Sequence, residues 1–358
     1  MGDLVNNYYE IFRNKKVLIS GDTGFKGSWL AYWLSLLGAE VYGFALPPEH
    51  DNDHFVLLKL GKFIRHRDGD IRDAGQIKEF TAKINPEFVF HLAAQPLVRK
   101  SFHEPKLTFD TNIGGTVNIL EAIRQTPSVK VAIIVTSDKC YKNNEWCWGY
   151  REIDELGGKD PYSASKAAAE IVFSAYQNSF FKEDRQGFGA ASVRAGNVIG
   201  GGDWSVDRIV PDCIKALQKN EAIQLRNPDA TRPWQHVLDP LLGYLTLAAQ
   251  LYENPSAYSG SYNFGPDHGR MYTVKDLAEE LIKVWGSGEI QVIKEDSPVH
   301  ESHLLHLNCD KVHHYLGWYP KWGFKKSVEM TASWYKRIEA GEDARSVSKE
   351  QISEYMEC

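Results

Sequence analysis

Three features are missing from this sequence of 358 residues: long apolar runs, a surplus of basic residues and clustered cysteines. No apolar run approaches the roughly 20 residues that a membrane-spanning helix needs. Residues 1–16 contain no apolar core resembling that of a secretory signal. The sequence therefore predicts neither a membrane protein nor a secreted one.

The charge balance and the cysteines exclude further classes. Acidic residues outnumber basic ones by 47 to 41, and the formal net charge is −6. Because nucleic-acid-binding proteins normally present a basic surface, no nucleic-acid partner is predicted. The five cysteines are scattered and show no C-x-x-C spacing, which argues against structural zinc and disulfides and suits a cytoplasmic protein. We predict no metal site.

Apolar strand-like runs alternate with helical patterns through the first half of the chain. Buried parallel strands are continuously apolar, and the helices between them cover both faces of the sheet. The pattern therefore predicts an α/β fold with a doubly wound parallel sheet of the Rossmann type. The predicted strands are 15–20, 40–46, 63–71, 87–94 and 129–137, and the predicted helices are 25–38, 73–84, 105–125 and 161–182.

The second half of the sequence is less regular. A strand at 187–196 leads into the glycine-rich stretch 196–204, and helices at 273–285 and 324–339 stand among short strands. This mixture predicts a smaller α+β lobe. The polar stretch 341–358 is expected to be a mobile tail or a contact between subunits.

These patterns predict two domains. Residues 1–198 would form the dinucleotide-binding domain, and residues 199–358 would form the smaller domain that binds the substrate. Residues 232–256 are expected to return to the first domain. A ligand site between the two is then expected at the carboxyl edge of the sheet.

Three evenly spaced glycines precede the first helix. The stretch GDTGFKG lies between the first predicted strand and the first predicted helix. Glycine lets the backbone turn tightly and approach a pyrophosphate, whose charge is favoured at a helix N-terminus. We therefore predict a dinucleotide site that includes seven consecutive residues: Gly21, Asp22, Thr23, Gly24, Phe25, Lys26 and Gly27.

Residues after the later strands extend the predicted cofactor site. An acidic residue at the end of the second strand would bind the ribose of NAD, and an arginine would favour NADP. Residues 45–48 offer neither, but the charge of Asp22 would repel a 2′-phosphate, so NAD is predicted. Asp70 and Ile71 are expected to flank the adenine. The remaining members of this predicted site are Leu92, Ala93 and Ala94.

The stretch YSASK places Tyr162 and Lys166 four residues apart on one face of a predicted helix. A free tyrosine has a pKa of about 10, which is too high for it to act as a base at neutral pH. A neighbouring lysine and the cationic ring of an oxidised cofactor both favour the phenolate. The same spacing is common on solvated helix faces, but its position downstream of a phosphate loop favours a catalytic pair.

Four stretches together resemble a known family. They are GFKGSWL at 24–30, TSDKCY at 136–141, YREIDELGGKDPYSASK at 150–166 and RPWQHVLD at 232–239. The chain resembles the extended short-chain dehydrogenases/reductases over nearly its full length. Within them it is similar to the nucleotide-sugar 4,6-dehydratases, and the finer match is to those that act on CDP-glucose.

The resemblance implies a dehydration in three steps with NAD as the cofactor. Tyr162 takes the proton of the sugar O4 while C4 gives up a hydride, and Lys166 supports the phenolate. A base then removes the C5 proton and an acid protonates the departing C6 hydroxyl, before the hydride returns to C6. Related dTDP-glucose enzymes carry Thr-Asp-Glu where this sequence has Ser137, Asp138 and Lys139.

The lysine in this triplet departs from the family pattern. Ser137 keeps a hydroxyl that can bond O4 and Tyr162, and Asp138 keeps the carboxyl that serves as the acid. We expect Lys139 to be the C5 base, for which it must be neutral. The alternative is that Lys139 only pairs with Asp138 or holds a sugar hydroxyl.

The resemblance also implies the substrate contacts. Arginine suits a diphosphate because its fork meets two phosphate oxygens at once. The predicted substrate residues are Gln95, Asn197, Arg208 and Arg232. His236 and Asp239 are interpreted as structural or close to a ribose, and Trp146 and Trp148 either line the sugar site or pack elsewhere.

Other functions share much of this pattern. A nucleotide-sugar 4-epimerase needs the same loop and Tyr–Lys pair but no acid and base for C5 and C6, so Asp138 and Lys139 argue against it. A 4,6-dehydratase for another nucleotide sugar and a non-catalytic NAD-binding protein are the remaining alternatives. The resemblance implies bacterial deoxysugar and O-antigen synthesis and a homodimer or homotetramer formed through helices 105–125 and 161–182.

Overall fold

The computed structural model describes residues 9–181, 185–266, 271–293 and 304–358. Part of the N-terminal stretch considered above as a secretory signal, residues 1–8, lies outside these ranges, as does residue 182 at the end of a predicted helix. None of the helices in the described ranges is both long enough and apolar enough to cross a membrane.

A seven-stranded parallel sheet forms the centre of the molecule, in the order β11-β6-β5-β4-β1-β2-β3. This confirms the predicted doubly wound α/β fold. The strands of the sheet are β1 (Lys16–Ser20), β2 (Glu40–Ala45), β3 (Arg65–Asp68), β4 (Phe88–His91), β5 (Val131–Val135), β6 (Gly189–Ala195) and β11 (Gly260–Phe264).

Three two-stranded sheets lie among the remaining strands. Two are parallel, β7 with β10 and β8 with β13, and β9 pairs with β12 in antiparallel fashion. Their strands are β7 (Val198–Ile199), β8 (Ile223–Leu225), β9 (Thr231–Arg232), β10 (Gln235–His236), β12 (Tyr272–Thr273) and β13 (Ile290–Val292).

Helices cover both faces of the main sheet, because successive residues of its inner strands point to opposite faces and both sets are apolar. In β1, Leu18 packs against one buried cluster, and Val17 and Ile19 pack against the other. The helices are α1 (Phe25–Leu36), α2 (His54–Leu57), α3 (Ala74–Ile84), α4 (Val98–His103), α5 (Pro105–Phe109), α6 (Gly115–Arg124), α7 (Pro161–Tyr176), α8 (Ile209–Gln218), α9 (Leu238–Glu253), α10 (Pro255–Tyr258), α11 (Val274–Trp285), α12 (Asp310–Leu316), α13 (Phe324–Glu339) and α14 (Ala344–Glu357).

The long helix predicted at 105–125 is interrupted. A wider π turn at Asp110–Gly114 separates α5 from α6. The side chain of Asn112 in this turn donates to the Gln95 carbonyl at 3.1 Å and to Ser165 Oγ at 2.8 Å. The turn therefore ties the end of β4 to α7, a tertiary contact that the helical pattern does not reveal.

Helix α9 packs against β5 and β6, where residues 232–256 were expected to return. The predicted division placed residues 257–358 in the second domain, whereas β11 pairs with β6 along its whole length. That boundary is therefore wrong at β11. The strand was missed because GSYNF alternates polar and aromatic residues and is not a continuous apolar run.

The polar stretch 341–358 is not a mobile tail. Helix α14 begins after Asp343, whose carboxylate accepts from the Ser346 amide. It buries Val347, Ile352 and Tyr355, among others, on one face. The apolar residues recur at helical spacing within a polar composition, and this amphipathic pattern was overlooked.

Candidate active site

A cavity of about 1510 Å³ opens at the carboxyl edge of the main sheet. Its walls come from the ends of β1, β2, β4, β5 and β6 on one side, and from the segments around α8, β8 and β9 on the other. A crevice in this position is where open α/β sheets bind their ligands. Most of the predicted site residues lie on these walls.

The glycine loop has the close packing that a phosphate site needs. Gly21 has a positive φ of 82°, and a Cβ there would lie 2.6 Å from the Ala93 amide nitrogen. A Cβ on Gly27 would lie 1.9 Å from the Gly21 carbonyl oxygen. No side chain caps the N-terminus of α1, so its first amides are left for a ligand. The loop fits a pyrophosphate.

Asp22 does not take the predicted part in this site. Its side chain is buried away from the cavity, with Oδ2 2.7 Å from His66 Nδ1. It fills the space left by Gly43, where a Cβ would lie 2.0 Å from Asp22 Oδ2. Burial raises the pKa of Asp22 despite the His66 contact. A direct contact between Asp22 and the cofactor does not agree with this position, because its side chain does not line the cavity.

The other predicted cofactor residues lie on the cavity wall. Asp70 forms a two-bond contact with Arg72, with Nε–Oδ1 and Nε–Oδ2 distances of 3.0 and 2.9 Å. Ile71 is buried, and a Cβ on Gly115 would lie 2.8 Å from its Cγ2. The lining members are Thr23, Gly24, Phe25, Lys26, Gly27, Asp70, Ile71, Leu92, Ala93 and Ala94.

The side chain of Lys26 extends from the phosphate loop toward the predicted catalytic residues. Burial lowers the pKa of Lys26 to about 8, as do the charges of Lys166 and Arg208, while Asp138 opposes the change. Its ammonium therefore lies near the predicted reaction centre as well as the phosphate loop.

Tyr162 and Lys166 lie on the buried face of α7, at its first turns. Asp160 caps the helix by accepting from the Ser163 amide at 2.9 Å. Burial raises the pKa of Tyr162 to about 12, although a hydrogen bond with Ser137 lowers it. Burial lowers the pKa of Lys166 to about 8. The phenolate therefore needs further positive charge, which an oxidised nicotinamide supplies.

The predicted triplet forms a turn directly after β5, beside Tyr162. Ser137 Oγ donates to Asp138 Oδ1 at 2.9 Å and accepts from the Lys139 amide at 3.2 Å. Asp138 is buried, and its Oδ2 has no hydrogen-bond partner among the described residues. Lys139 Nζ lies 4.0 Å from Asp138 Oδ1, and its side chain is 31% exposed. The free oxygen is placed to serve as an acid or to bind a ligand hydroxyl.

Three of the predicted substrate residues line the opposite wall. Arg208 donates to Asp203 Oδ2 at 3.0 Å, and Arg232 donates to the Thr231 carbonyl at 2.8 Å. The Asn197 carbonyl accepts from the Gln235 amide, which leaves the side chain on the cavity wall. These three residues face the catalytic turn across the cavity.

The side chain of Gln95, the fourth predicted substrate residue, forms its hydrogen bonds within the protein. Its amide donates to the Leu97 carbonyl at 3.0 Å and to Thr108 Oγ1 at 2.8 Å, and its carbonyl accepts from the Leu97 amide. It lines the cavity, but both amide protons are used. Its observed role is to shape the loop after β4.

The two open questions about tryptophans and the second-half polar residues are answered by packing. Trp146 stacks on Tyr150 with ring centres 5.2 Å apart, and Trp148 is 67% exposed. Neither tryptophan lines the cavity. His236 and Asp239 are fully buried away from it, and Tyr355 donates to Asp239 at 2.6 Å. His236, Asp239 and Trp146 are therefore packed within the protein, and Trp148 remains largely exposed.

Sequence reasoning missed six lysines and arginines on the wall, of which three stand out. Arg99, Lys142 and Arg226 line the cavity. Asp207 lies between two of them, 3.9 Å from Arg99 and 3.4 Å from Arg226. Arg99 could have been found from sequence, because it follows the fourth predicted strand and the carboxyl ends of these strands border the site. In the part of the chain that the structure describes, no group of three His, Cys, Asp or Glu side chains could hold a metal ion.

Comparison with known proteins identifies the family. The family model described as GDP-mannose 4,6 dehydratase matches residues 18–331. A CDP-glucose 4,6-dehydratase of Salmonella typhimurium is 44% identical over 348 residues, covering 96% of this chain and 97% of that protein.

Solved structures agree in fold. An epimerase of Methanothermobacter thermautotrophicus matches with a TM-score of 0.80 and 20% identity, covering 94% of this chain and 97% of that one. A dTDP-glucose 4,6-dehydratase of Streptomyces venezuelae, solved with NAD bound, matches with a TM-score of 0.76 and 22% identity over 92% and 99%. The predicted enzyme class, a nucleotide-sugar 4,6-dehydratase, is confirmed, and the chain belongs to the GDP-mannose 4,6 dehydratase family.

Proposed function

We propose that this protein dehydrates CDP-glucose to CDP-4-dehydro-6-deoxyglucose with NAD that is not consumed. The observation that carries the proposal is the free, buried Oδ2 of Asp138 beside the Tyr162–Ser137 hydrogen bond. A carboxyl group in that position can protonate a leaving hydroxyl while the tyrosine acts on O4. The choice of CDP-glucose is supported by the 44% identity to a CDP-glucose enzyme over nearly the whole chain.

The glycine loop and the uncapped start of α1 would hold the cofactor pyrophosphate. When bound, NAD supplies the hydride chemistry by accepting hydride from C4 and returning it to C6. Ile71 and Ala93 would provide apolar contacts on the walls beside it. NAD is also held by the solved dTDP-glucose enzyme with the same fold.

Tyr162 and Ser137 perform the first proton transfer. The phenolate of Tyr162 accepts the proton from O4. Ser137 orients the Tyr162 oxygen through the hydrogen bond between their side chains. The Lys166 cation lies one helical turn from Tyr162 and stabilises the phenolate. Burial of all three keeps water from competing for the proton.

Asp138 and Lys139 perform the elimination. Once C4 is a ketone, the C5 proton is acidic and Lys139, when neutral, removes it. Asp138, when protonated, gives its proton to the C6 hydroxyl, which leaves as water. Lys139 Nζ lies 4.0 Å from Asp138 Oδ1, beyond hydrogen-bond distance, so each group exchanges its own proton with the sugar.

The second candidate is a nucleotide-sugar 4-epimerase, favoured by the similar fold of an epimerase at a TM-score of 0.80. Epimerisation reuses Tyr162 and Lys166 but leaves Asp138 without a proton to transfer. The identity to that structure is only 20%, and it bears on the fold alone.

The test is a panel of CDP-, dTDP-, GDP- and UDP-glucose, each incubated with the purified protein and analysed by mass spectrometry. Loss of one water from CDP-glucose, faster than from the other three, is the expected result. A product of unchanged mass whose proton NMR spectrum shows an inverted C4 would establish the epimerase instead. No conversion of any of the four would refute both enzymes.

The role of Lys139 has its own test. The Lys139→Met variant is incubated with substrate in deuterated water, and deuterium at C5 is followed. Loss of exchange at C5 with ketone formation retained supports Lys139 as the base. Lys142→Met removes a neighbouring cavity lysine and serves as the matched control. Undiminished exchange in Lys139→Met would assign the base to another group.

We further propose that the protein is cytoplasmic and forms a homodimer or homotetramer that serves deoxysugar and O-antigen synthesis. All five cysteines are free, as in a reducing compartment. The outer face of α7 exposes Ile171 to 59%, and Phe180 just beyond it to 41%, an apolar surface suited to a second copy. Light scattering tests the oligomer, and sedimentation as a monomer would exclude it.

A further inference from the structure

A buried ion pair lies directly beneath the reaction centre. Glu170 stands on α7, four residues after Lys166 and eight after Tyr162, so all three share the buried face of the helix. Arg194 Nη2 donates to Glu170 Oε2 at 2.7 Å, and the two side chains are 3% and 1% exposed. Neither residue lines the cavity. Removing two charges from water is unfavourable unless geometry is good and further hydrogen bonds satisfy them.

The Glu170 carboxylate joins α7 to three strands of the main sheet. Its Oε1 accepts from Thr136 Oγ1, the residue between β5 and Ser137. Its Oε2 accepts from Ser192 of β6 at 2.7 Å and from Ser261 of β11 at 3.4 Å. One carboxylate therefore fixes the catalytic helix to the end of β5 and to residues within β6 and β11.

Arg194 reaches the other end of the catalytic turn. Its Nη1 donates to the Tyr141 hydroxyl at 2.7 Å, and its guanidinium lies 4.9 Å from the centre of the Tyr141 ring. The Tyr141 hydroxyl in turn donates to Asn263 Oδ1 at 2.7 Å. Thr136 and Tyr141 flank the catalytic turn, one residue before Ser137 and one after Cys140.

We propose that Glu170 and Arg194 are positioning residues, which hold the Ser137–Asp138–Lys139 turn and the Tyr162–Lys166 helix in one register. This inference rests on the proposed function, because the register matters only if the two groups act on one sugar. Thr136 and Tyr141 are the two links through which the ion pair acts on the turn. The chemistry needs such a device because atoms on β5 and on α7 must meet O4, C5 and C6 of a single ring.

Two further observations agree with this role. Burial alone would raise the pKa of Glu170, but Arg194 and the hydroxyl donors lower it, so the carboxylate is charged at neutral pH. That charge raises the pKa of Lys166, which burial lowers to about 8. The same carboxylate therefore positions the helix and favours the cationic form of Lys166.

The links are better test sites than the ion pair itself. Glu170→Gln would leave Arg194 buried without its counter-ion, and such a change can prevent folding. Thr136→Val keeps the shape and removes one hydroxyl, and Tyr141→Phe does the same on the other side. Thr136→Ser keeps the hydroxyl and is the conservative rescue.

Each link variant has a matched control elsewhere in the core. Thr81→Val removes a buried hydroxyl that donates to the Ile77 carbonyl at 2.7 Å within α3. Tyr244→Phe removes a buried hydroxyl that has no hydrogen-bond partner among the described residues. Neither Thr81 nor Tyr244 lines the cavity.

The experiment measures kcat and KM for CDP-glucose, together with hydrogen exchange of peptides that cover 136–141 and 161–176. We expect kcat to fall by about ten-fold or more in Thr136→Val and Tyr141→Phe, with KM within about two-fold, because displacement by a fraction of an ångström slows positioned reactions. Exchange in 136–141 should quicken in both variants, and Thr136→Ser should recover most of kcat. The control variants should match the wild type in kcat and in exchange.

A kcat within about two-fold of the controls in both link variants would overturn the inference, as would an equal loss in Thr136→Ser. If the wild-type protein dehydrates none of the four sugars, the proposed function fails by itself. Hydrogen exchange of 136–141 then tests the positioning role without activity. Faster exchange in the link variants than in the controls supports that role for Glu170 and Arg194, and equal exchange refutes it.

Discussion

The two walls of the cavity are built in different ways. The catalytic wall, Ser137, Asp138, Tyr162 and Lys166, consists of side chains that are 2–7% exposed. The substrate wall, Asn197, Arg208 and Arg232, is half-buried, with the Arg208 side chain 33% exposed. Lys139, the proposed C5 base, is the exception on the catalytic wall, because its side chain is 31% exposed. The groups proposed to act on O4 and on the C6 hydroxyl are dry, whereas a diphosphate is met by long cationic side chains that remain in contact with water.

The sharpest way to break this comparison is to remove the Tyr162 hydroxyl. Tyr162→Phe should lower kcat about 10³-fold, because the O4 proton loses its acceptor. The melting temperature should stay close to that of the wild type, since the ring still fills its site. Steady-state turnover of CDP-glucose measures the effect, with Tyr244→Phe as control. Retention of a tenth of wild-type kcat would remove Tyr162 from the catalytic wall.

Arg208→Lys tests the substrate wall. The lysine keeps the charge but loses the fork that meets two phosphate oxygens, so we expect KM to rise about ten-fold with kcat changed less than about three-fold. Initial rates over a range of CDP-glucose concentrations separate the two parameters.

Arg67→Lys alters an arginine of similar exposure that lies outside the cavity and should change neither parameter. A fall in kcat at unchanged KM in Arg208→Lys would contradict the assignment and place Arg208 with the catalytic wall.

The pH dependence of kcat/KM sharpens the role of Lys166. Burial lowers the pKa of Lys166 to about 8. The cation is the active form of Lys166, so its loss should give kcat/KM an alkaline limb that falls about ten-fold per pH unit above about pH 8. Lys166→Arg should lose the alkaline limb while keeping a reduced rate.

Lys26 shares a pKa lowered to about 8, so its variant is the necessary comparison. In Lys26→Met the alkaline limb should persist, because Lys166 still titrates. Disappearance of the limb in that variant would assign the titration to Lys26 and would move this loop lysine into the reaction centre.

The smallest effect on activity is expected far from both walls. Tyr355→Phe removes the hydroxyl that donates to buried Asp239 at 2.6 Å. We expect a loss of about 1–2 kcal/mol in the free energy of unfolding, because a buried carboxyl loses a partner. Urea unfolding measures the loss, and kcat should not change. Wild-type stability in this variant would mean that the Tyr355–Asp239 hydrogen bond adds nothing to the stability of the fold.

The sequence predicted the fold and most of the cavity wall, because both depend on local pattern. Continuous apolar strands, the glycine spacing and the four-residue spacing of Tyr162 and Lys166 are each readable within a short window. The predicted family follows from the same stretches and is confirmed by the family match at 18–331.

The errors arose where tertiary contacts override local pattern. Asp22 lies in a loop whose sequence suggests a cofactor contact, but its side chain fills the space beside Gly43 and contacts His66. Helix α14 has a polar composition, and its few apolar residues pack on the core while Tyr355 and Ser348 contact Asp239 and His54. Strand β11 is specified by its pairing with β6.

Glu170 could have been found from sequence, since it continues the register of Tyr162 and Lys166 by one further turn. Its partner Arg194 could not, because 24 residues separate the two and only strand pairing brings them together. Helical spacing therefore suggests which side chains share a face, and the sheet determines what meets that face.

The attachment of Glu170 to β5, β6 and β11 bears on how the enzyme loses activity when heated. These strands lie side by side in the main sheet, with β11 at its edge, and the inner strands β5 and β6 generally open only when the whole domain unfolds. The temperature at which activity is lost should therefore equal the melting temperature, with no range in which the protein is folded but inactive.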